Sequence, residues 1–330
     1  MAKRIPQLGT AVLIAAATLP FATPAASAAY PGAEGRIAFV RDGAIWTAAV
    51  DGSDQLELTH VGTAGQPVWS PDGERIAFAW QRRPRAETRY DIWTMAADGT
   101  DKRQVTAHPA FDSSPTWSPD GGWLAFSSDR DDIGRGNYDI YKIRPVANAV
   151  RTARRLTDVG GFESDGEPAW SPLGDVIAFR RASNPDQCSG CSSLEVWTVT
   201  PDSETETRLP IEHPRAHSPA WSPYGRRIAY THGYQDDQGR YLFSNLYHVD
   251  AEGTDVRAVL EFANGSYQRA YTPAWSPDRG RRILYTYYAD YEDGWVPSIW
   301  MIGSRGLGEP VQLIANGGDP DWQALPIGDA

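Results

Sequence analysis

The sequence predicts an all-β fold, a six-bladed β-propeller with four-stranded antiparallel blades and a ring closed by the C-terminal strand joining blade one. Three observations predict it: a tryptophan-centred repeat, two apolar ladders in phase with it, and an isolated copy of the repeat near the C-terminus. The composition, with 13 Trp, 31 Gly and 25 Pro in 330 residues, suits short strands joined by tight turns that pack aromatic side chains.

The repeat reads Pro-x-Trp-Ser-Pro, extended by Asp-Gly in its most regular copies. Its tryptophans are Trp69, Trp117, Trp170, Trp221 and Trp275, spaced 48, 53, 51 and 54 residues apart. A degenerate sixth copy contains Trp322, 47 residues further on. Self-similarity at a period near 50 residues is typical of repeat folds such as propellers, in which each repeat forms one blade.

Two apolar ladders run in phase with the repeat and supply further strands of each unit. An apolar triplet starts at Ile37, Ile76, Leu124, Ile177, Ile228 and Ile283, and an aliphatic-aromatic pair starts at Ile45, Ile92, Ile140, Val196, Leu246 and Ile299. With a final, more polar strand, each unit has four strands, so six units predict six blades. The regular Trp and Phe positions are interpreted as packing between blades, without a functional role.

Turn chemistry and the order of strands at the two ends support the closed ring. Ser-Pro-Asp-Gly, as from Ser70 to Gly73, presets φ at Pro and ends a tight turn with Gly. Blade one starts at its second strand, near Arg36, and the segment from Pro320 to Gln323 supplies the missing innermost strand. Because an open blade edge would leave backbone groups unpaired, we expect the last strand to complete the first blade.

The first 28 residues have the form of a secretory signal peptide. Lys3 and Arg4 precede an apolar run, and the run leads to a small-x-small cleavage site that ends at Ala28. The alternative, a membrane anchor, needs about 20 unbroken apolar residues, and Pro20 interrupts the run. The sequence therefore predicts a secreted or periplasmic protein in which residues 29–330 form a single propeller domain without a membrane span.

The net charge excludes some partners. Loss of the signal removes two positive charges and moves the formal charge from −11 to −13. Nucleic-acid binding depends on Lys and Arg that neutralise phosphates, so we expect no nucleic-acid partner, and we expect a monomer.

The two cysteines, Cys188 and Cys191, form a C-x-x-C pair, which fits a redox pair, half of a zinc site or a small disulfide. A zinc site would need a second C-x-x-C or a suitably placed His pair, and the sequence has no second C-x-x-C. In an exported protein the pattern favours a disulfide that closes a loop.

The repeat units resemble the WD40-like (PD40) repeat of the TolB family. The resemblance rests on Pro-x-Trp-Ser-Pro-Asp-Gly-x-x-Ile-Ala-Phe, followed by Asp-Ile-Trp and Leu-Thr, and it extends over about residues 34–324. It implies a propeller that binds partners of the cell envelope. Because the first blade follows the signal within a few residues, we expect a stand-alone propeller without the N-terminal α/β domain of TolB.

Strand order separates two ends of the ring. The Ser-Pro-Asp-Gly and Asp-Gly turns lie at one end, here named the turn-bearing face, and the longer connections open at the other, the loop-bearing face. Ligands generally bind where such loops surround a channel. The candidate ligand-binding residues in or next to these connections are His60, His108, Asp112, Asp165, Glu167, His213, His217 and Asp319.

Two interpretations of these candidates stay open. One is a polar pocket at the channel mouth, with or without a divalent cation held by carboxylates or imidazoles; the other is solvated loop polarity that fixes the start of each inner strand. No cofactor is predicted. His232 and His248 are predicted to be surface or packing residues.

Two functions follow as hypotheses. The first is a non-enzymatic binding or scaffold propeller that docks a cell-envelope protein, peptide or glycan on its loop-bearing face. No Gly-x-Ser-x-Gly elbow, His-Glu-x-x-His motif or Gly-rich phosphate loop is present. The alternative is a metal-assisted enzyme similar to a polysaccharide lyase, for which His60, His108, His213 and His217 are the candidate ligands.

Overall fold

A computed structural model describes residues 29–82, 89–133, 135–147, 153–161, 163–183, 193–236, 241–264, 266–289 and 296–326. The predicted signal, residues 1–28, and the Cys188/Cys191 pair lie outside the described residues and stay predictions. The described residues form 24 strands and no helix. Within the same ranges, no helical segment has the length and apolar character needed to cross a membrane.

Four sheets have four antiparallel strands each. The first sheet has the order β24-β1-β2-β3, and the second to fourth follow the chain. The strands of the first sheet are β1 (Ala33–Arg41), β2 (Ala44–Ala48), β3 (Leu56–Glu57) and β24 (Gly318–Leu325). Those of the second are β4 (Thr63–Trp69), β5 (Arg75–Gln81), β6 (Asp91–Ala96) and β7 (Arg103–Gln104). Those of the third are β8 (Asp112–Trp117), β9 (Leu124–Ser128), β10 (Asp139–Ile143) and β11 (Arg154–Arg155), and those of the fourth are β12 (Glu163–Trp170), β13 (Ile177–Ser183), β14 (Ser193–Val199) and β15 (Glu206–Arg208).

The remaining eight strands form one sheet that consists of two antiparallel sets. The strands are β16 (Ala216–Trp221), β17 (Arg227–Gln235), β18 (Tyr241–Asp250), β19 (Arg257–Leu260), β20 (Arg269–Trp275), β21 (Arg282–Tyr288), β22 (Pro297–Gly303) and β23 (Val311–Ala315). Strands β16 to β19 are the fifth set and strands β20 to β23 the sixth. A parallel bridge between Ser244 and Arg269 joins the two sets.

Six inner strands carry the tryptophans of the repeat: β4, β8, β12, β16, β20 and β24. Each contacts the next in chain order, and β24 contacts both β20 and β4. Strand β24 also pairs with β1 in antiparallel register, with Trp322 opposite Ile37. The predicted all-β propeller fold with four-stranded antiparallel sheets is therefore confirmed.

The apolar ladders of the sequence form the buried core. Phe78, Phe126 and Phe179 of the apolar triplet are fully buried. The indole N–H of Trp221 donates to the carbonyl of Ala169 at 3.1 Å, between one inner strand and the next. A buried Trp needs a partner for its N–H group, so this hydrogen bond lets the large ring pack between sets at little polar cost.

The residues that follow the predicted cleavage site are packed at the turn-bearing end of the inner strands. The N–H of Ala29 donates to the carbonyl of Trp221 at 3.2 Å, and the hydroxyl of Tyr30 donates to the carbonyl of Trp117 at 2.6 Å. The N–H of Gly32 donates to the carbonyl of Pro277 at 3.3 Å. Burial and the nearby carboxylates of Asp321 and Asp120 raise the pKa of Tyr30 well above its usual value.

Candidate functional site

Each inner strand has one residue with positive φ, three positions before its tryptophan and directly before a proline. These residues, with φ between 49° and 58°, are Gln66, Ser114, Glu167, Ser218, Thr272 and Asp319. The register of the inner strands shifts at these positions, as between Gly166 and Ala169. A bulge bends a strand and re-aims its side chains, so the repeat places six side chains in equivalent positions around the inner strands.

Asp112 lies two residues before the bulge residue of β8, fully buried. It accepts hydrogen bonds from the hydroxyl of Ser128 at 2.6 Å and from the guanidinium of Arg130 at 3.1 Å. Arg130 also lies over the ring of Tyr141, 4.6 Å from its centroid. The carboxylate of Asp112 is thus used within its own sheet, where it holds an arginine against aromatic rings.

Asp165 repeats this arrangement on β12. Nε and Nη2 of Arg181 each lie 2.7 Å from an oxygen of Asp165, and the guanidinium lies 4.5 Å from the centroid of Trp197. Arg181 also contacts Glu206 at 2.7 Å. Burial raises the pKa of Asp165 to about 6, although Arg181 acts to lower it. Asp112 and Asp165 are therefore parts of ion pairs that fix their sheets.

Three other candidates do come together, and we name them the inner-strand cluster: Glu167, His217 and Asp319. Glu167 is buried, accepts the backbone N–H of Ser218 at 2.6 Å and lies 3.1 Å from Nε of Arg180. Burial lowers the pKa of His217, whereas the charge of Glu167 raises it. The inner-strand cluster therefore brings together ionisable side chains from the fourth, fifth and first sets of strands.

Asp319 is the member of the cluster with the most perturbed carboxylate. It is partly exposed, but the surrounding protein desolvates it and the charge of Glu167 opposes a second negative charge. Both effects raise the pKa of Asp319 to about 7. A carboxyl group that titrates near neutral pH is typical of functional sites, and this one lies where a cationic or hydrogen-bonding group of a ligand would stabilise its charged form.

Aromatic and hydroxyl side chains flank the inner-strand cluster. The ring of Tyr271 lies 5.5 Å from that of His217 and 5.7 Å from that of Tyr288. Burial and then the charge of Asp319 raise the pKa of Tyr288. The backbone N–H of Asp319 donates to the hydroxyl of Thr286 at 2.9 Å. Tyr271 directly precedes the bulge residue of β20, as His217 does in β16, and it is not among the candidates predicted from the sequence.

His213 stacks on His232, which the sequence predicts to be a surface or packing residue. The rings of His213 and His232 stack at 4.6 Å, and Nδ1 of His213 lies 2.9 Å from the hydroxyl of Tyr230. Burial and the neighbouring His213 lower the pKa of His232 to about 4, and burial lowers the pKa of His213. The lowered pKa values favour the neutral form of both rings, and His232 is buried within the fifth set.

The remaining two candidate histidines, His60 and His108, lie elsewhere on the loop-bearing face. His60 is 70% exposed and lies 3.1 Å from Glu57. His108 borders a groove of about 400 Å³, which we name the blade-two groove. Its lining includes Trp80, Arg82, Arg89, Trp93 and His108. The guanidinium of Arg82 lies 5.8 Å and 5.7 Å from the centroids of the two tryptophan rings.

The candidates thus do not form one ring, and Glu167, His217 and Asp319 are the three that come together. Within the described ranges, no group of three or more His, Cys, Asp or Glu side chains has an arrangement that could hold a metal ion. A divalent cation at the channel mouth stays a prediction.

The fold and this arrangement define a β-propeller with polar and aromatic side chains at the loop-bearing end of its inner strands. Residues 43–279 match the TolB beta propeller domain family (PD40), and the chain belongs to this family. The resemblance stated from the repeat residues is confirmed.

Solved structures and a relative of known sequence agree with this assignment. TolB from Acinetobacter baumannii superposes with a TM-score of 0.67 at 18% identity, over 88% of this chain and 67% of that one. An oligogalacturonate lyase in complex with manganese gives a TM-score of 0.53 at 17% identity, over 87% and 74%. At these identities the likeness concerns the fold.

The peptidase YuxL of Bacillus subtilis (strain 168), itself uncharacterized, is 29% identical over 132 residues. The match covers 39% of this chain and 18% of YuxL, so the chain spans less than a fifth of that relative.

Proposed function

We propose that this protein is an exported, non-enzymatic binding propeller that docks a cell-envelope protein or glycan on its loop-bearing face. The blade-two groove carries the proposal. There, the aromatic rings of Trp80 and Trp93 and the charges of Arg82 and Arg89 border one concave surface. Aromatic and Arg side chains are enriched where proteins bind their partners, because a ring buries apolar area while guanidinium groups bind carboxylates, hydroxyls or carbonyls.

The inner-strand cluster is the second part of the proposed docking surface. A partner that places a cation or a hydrogen-bond donor near Asp319 would bind its ionised form more tightly than its neutral form. Since the pKa of Asp319 is about 7, we expect affinity for such a partner to rise as the pH increases through neutrality. We further propose that the mature chain is a monomer, exported through cleavage of residues 1–28.

Capture of partners from a cell-envelope extract tests the docking surface. The informative variant is Arg82→Glu/Arg89→Glu, because both side chains are exposed. The matched control, Arg103→Glu/Arg135→Glu, changes the net charge equally at exposed sites outside the groove. We expect the wild type and the control to retain the same partner and the groove variant to lose it.

Equal capture by all three proteins would refute the docking surface. The lyase alternative rests on the shared fold with the manganese-bound oligogalacturonate lyase. Cleavage of oligogalacturonate by the purified protein with added Mn²⁺ would support that alternative instead.

We also propose six blades in a closed ring. Support comes from the cyclic contacts of the inner strands and the pairing of β24 with β1, with the fifth and sixth sets as two blades that share one bridge. Deletion of residues 317–330 removes β24, the inner strand of the first sheet, and exposes the edge of β1. We expect the truncated protein to lose cooperative thermal unfolding in calorimetry; an unchanged melting temperature would contradict closure.

A further inference from the structure

A second concave surface lies on the turn-bearing face, opposite the proposed docking surface. It is a groove of about 1190 Å³ between the fifth and sixth sets of strands. Its walls are the β16–β17, β20–β21 and β22–β23 turns and the start of β19. This volume exceeds the ~300–1000 Å³ of small-molecule sites. The size of the groove therefore suits a segment of a polymer. We name it the basic groove.

Arginines dominate the charge of the basic groove. Its lining includes Arg226, Arg227, Arg257, Arg279, Arg281 and Arg305. Asp255 is the counter-charge of two of them, at 2.6 Å from Arg227 and 2.8 Å from Arg257.

The other four arginines are exposed. Within the described part of the chain, no ion pair or side-chain hydrogen bond engages Arg226, Arg279, Arg281 or Arg305. A chain with a net charge of −11 thus gathers several uncompensated positive charges on one surface.

A buried histidine also lines the basic groove. The ring of His248 packs 5.8 Å from that of Trp275, and its Nδ1 lies 3.2 Å from Nη1 of Arg227. Burial, Arg227 and Arg257 lower the pKa of His248 to about 4. The imidazole is therefore neutral at pH 7 and accepts a hydrogen bond from Arg227, so it leaves the positive charge of the groove unchanged.

The same turn positions are acidic or neutral elsewhere on the turn-bearing face. The residue directly after the turn glycine is Glu74 in the second sheet, Gly122 in the third and Asp175 in the fourth. In the fifth and sixth sets it is Arg226 and Arg281. The β20–β21 turn also contains Arg279, one residue more than the turn from Ser70 to Gly73. Because the other turns join equivalent strands without these arginines, the basic side chains are a local property of this seam and are not required by the fold.

Two exposed apolar side chains border the arginines. Tyr224 is 45% exposed and Leu307 is 72% exposed, and both line the groove. A phosphate polymer would use the guanidinium groups but would leave these apolar surfaces without a complement. An acidic polypeptide uses both, since carboxylates bind guanidinium groups in paired hydrogen bonds and its apolar side chains cover Tyr224 and Leu307.

We propose that the basic groove binds an extended acidic segment of a partner protein. The carboxylates of this segment face Arg279, Arg281 and Arg305, and one or two apolar side chains pack on Tyr224 and Leu307. This surface is separate from the loop-bearing face, so either docking surface can fail a test without the other.

Fluorescence anisotropy with a labelled twelve-residue peptide of Glu and Asp that carries one Leu and one Tyr tests this proposal. We expect Arg279→Glu/Arg281→Glu/Arg305→Glu to bind about tenfold or more weakly than the wild type at low salt. The control Arg103→Glu/Arg135→Glu/Arg154→Glu, with the same change of charge at exposed positions, should stay within about twofold. The milder Arg279→Gln/Arg305→Gln variant replaces the triple variant if the latter has a lower melting temperature than the control.

Two further probes separate the sources of binding. A peptide with Gln and Asn in place of Glu and Asp should lose binding, and one with Ser in place of Leu and Tyr should bind several-fold more weakly. Equal loss in the groove and control variants, or no binding of the acidic peptide to the wild type, would overturn the proposal. Binding of inorganic polyphosphate but not of the peptide would assign the groove to a phosphate polymer instead.

Discussion

Asp165 and Glu167 stand two residues apart on β12, yet they act on different neighbours. Asp165 faces Arg181 within its own sheet, in a two-pronged ion pair at 2.7 Å. Glu167 contacts the neighbouring inner strand through Ser218 and acts on Asp319, another carboxylate. Both acids have an arginine partner, since Glu167 lies 3.1 Å from Nε of Arg180, but the charge of Glu167 also raises the pKa of Asp319.

The difference separates stability from binding. A buried charge with a hydrogen-bonded partner of opposite sign fixes local geometry, and loss of one partner leaves the other uncompensated. Two carboxylates in range of each other destabilise their charged forms, and a ligand can relieve that cost. We therefore propose that Asp112 and Asp165 belong to the framework of the third and fourth sheets and that the inner-strand cluster serves recognition.

Asp165→Ala should produce the largest effect. It leaves Arg181 buried with Glu206 as its remaining acidic contact, and we expect a loss of about 3–5 kcal/mol in the free energy of unfolding, measured by denaturant titration at pH 7. Glu204→Ala is the control, because Glu204 forms an exposed ion pair with Arg154 and should cost less than about 1 kcal/mol. Similar losses in both variants would show that the buried pair of Asp165 and Arg181 stabilises the protein no more than an exposed ion pair does.

Asp319→Asn should change how stability depends on pH. The folded-state pKa of Asp319 is about 7, above the unfolded value near 4. The folded protein therefore holds the proton more tightly, and ionisation of Asp319 costs stability increasingly as the pH rises from about 4 to about 7. The Asn variant lacks this cost, so it should gain about 3 kcal/mol relative to the wild type over that interval.

Thermal or urea unfolding at a series of pH values measures the difference. The control is Glu309→Gln, which alters an exposed carboxylate. Parallel curves of stability against pH for the wild type and Asp319→Asn would show that Asp319 is not held in a desolvated place.

Most of the fold could be predicted from sequence because its determinants are periodic. Ladders such as Phe78, Phe126 and Phe179 mark equivalent buried strands, and turn residues mark the ends of those strands. The packing of Ala29 to Gly32 under the inner strands could not be predicted, since those residues belong to no repeat.

The candidate site was less predictable because a bulge changes the direction of the side chains in each inner strand, as β12 shows. Strand alternation would place Asp165 and Glu167 on one face, but positive φ at Glu167 turns the chain between them. The sequence predicts both residues as ligand-binding candidates, although the structure pairs Asp165 with Arg181 within its own sheet. The signal that separates them is the position directly before the repeat proline, which every inner strand shares. The basic groove could not be predicted because its exposed arginines lie in or next to turns, where the repeat pattern accounts for the fold and indicates no binding role.

Glu167→Gln should give the smallest effect and the most direct measure of the contrast. Gln keeps an oxygen that can accept the N–H of Ser218, so the backbone contact survives while the charge is lost. Burial, rather than Glu167, is the main cause of the raised pKa of Asp319. We therefore expect that pKa to fall by less than about one unit, measured by carbon NMR of the Asp319 carboxyl group. Glu163→Gln, at the start of the same strand, should leave it unchanged. An equal shift in both variants would mean that the two carboxylates do not act on each other directly, and then a ligand at Asp319 would have no like charge to relieve.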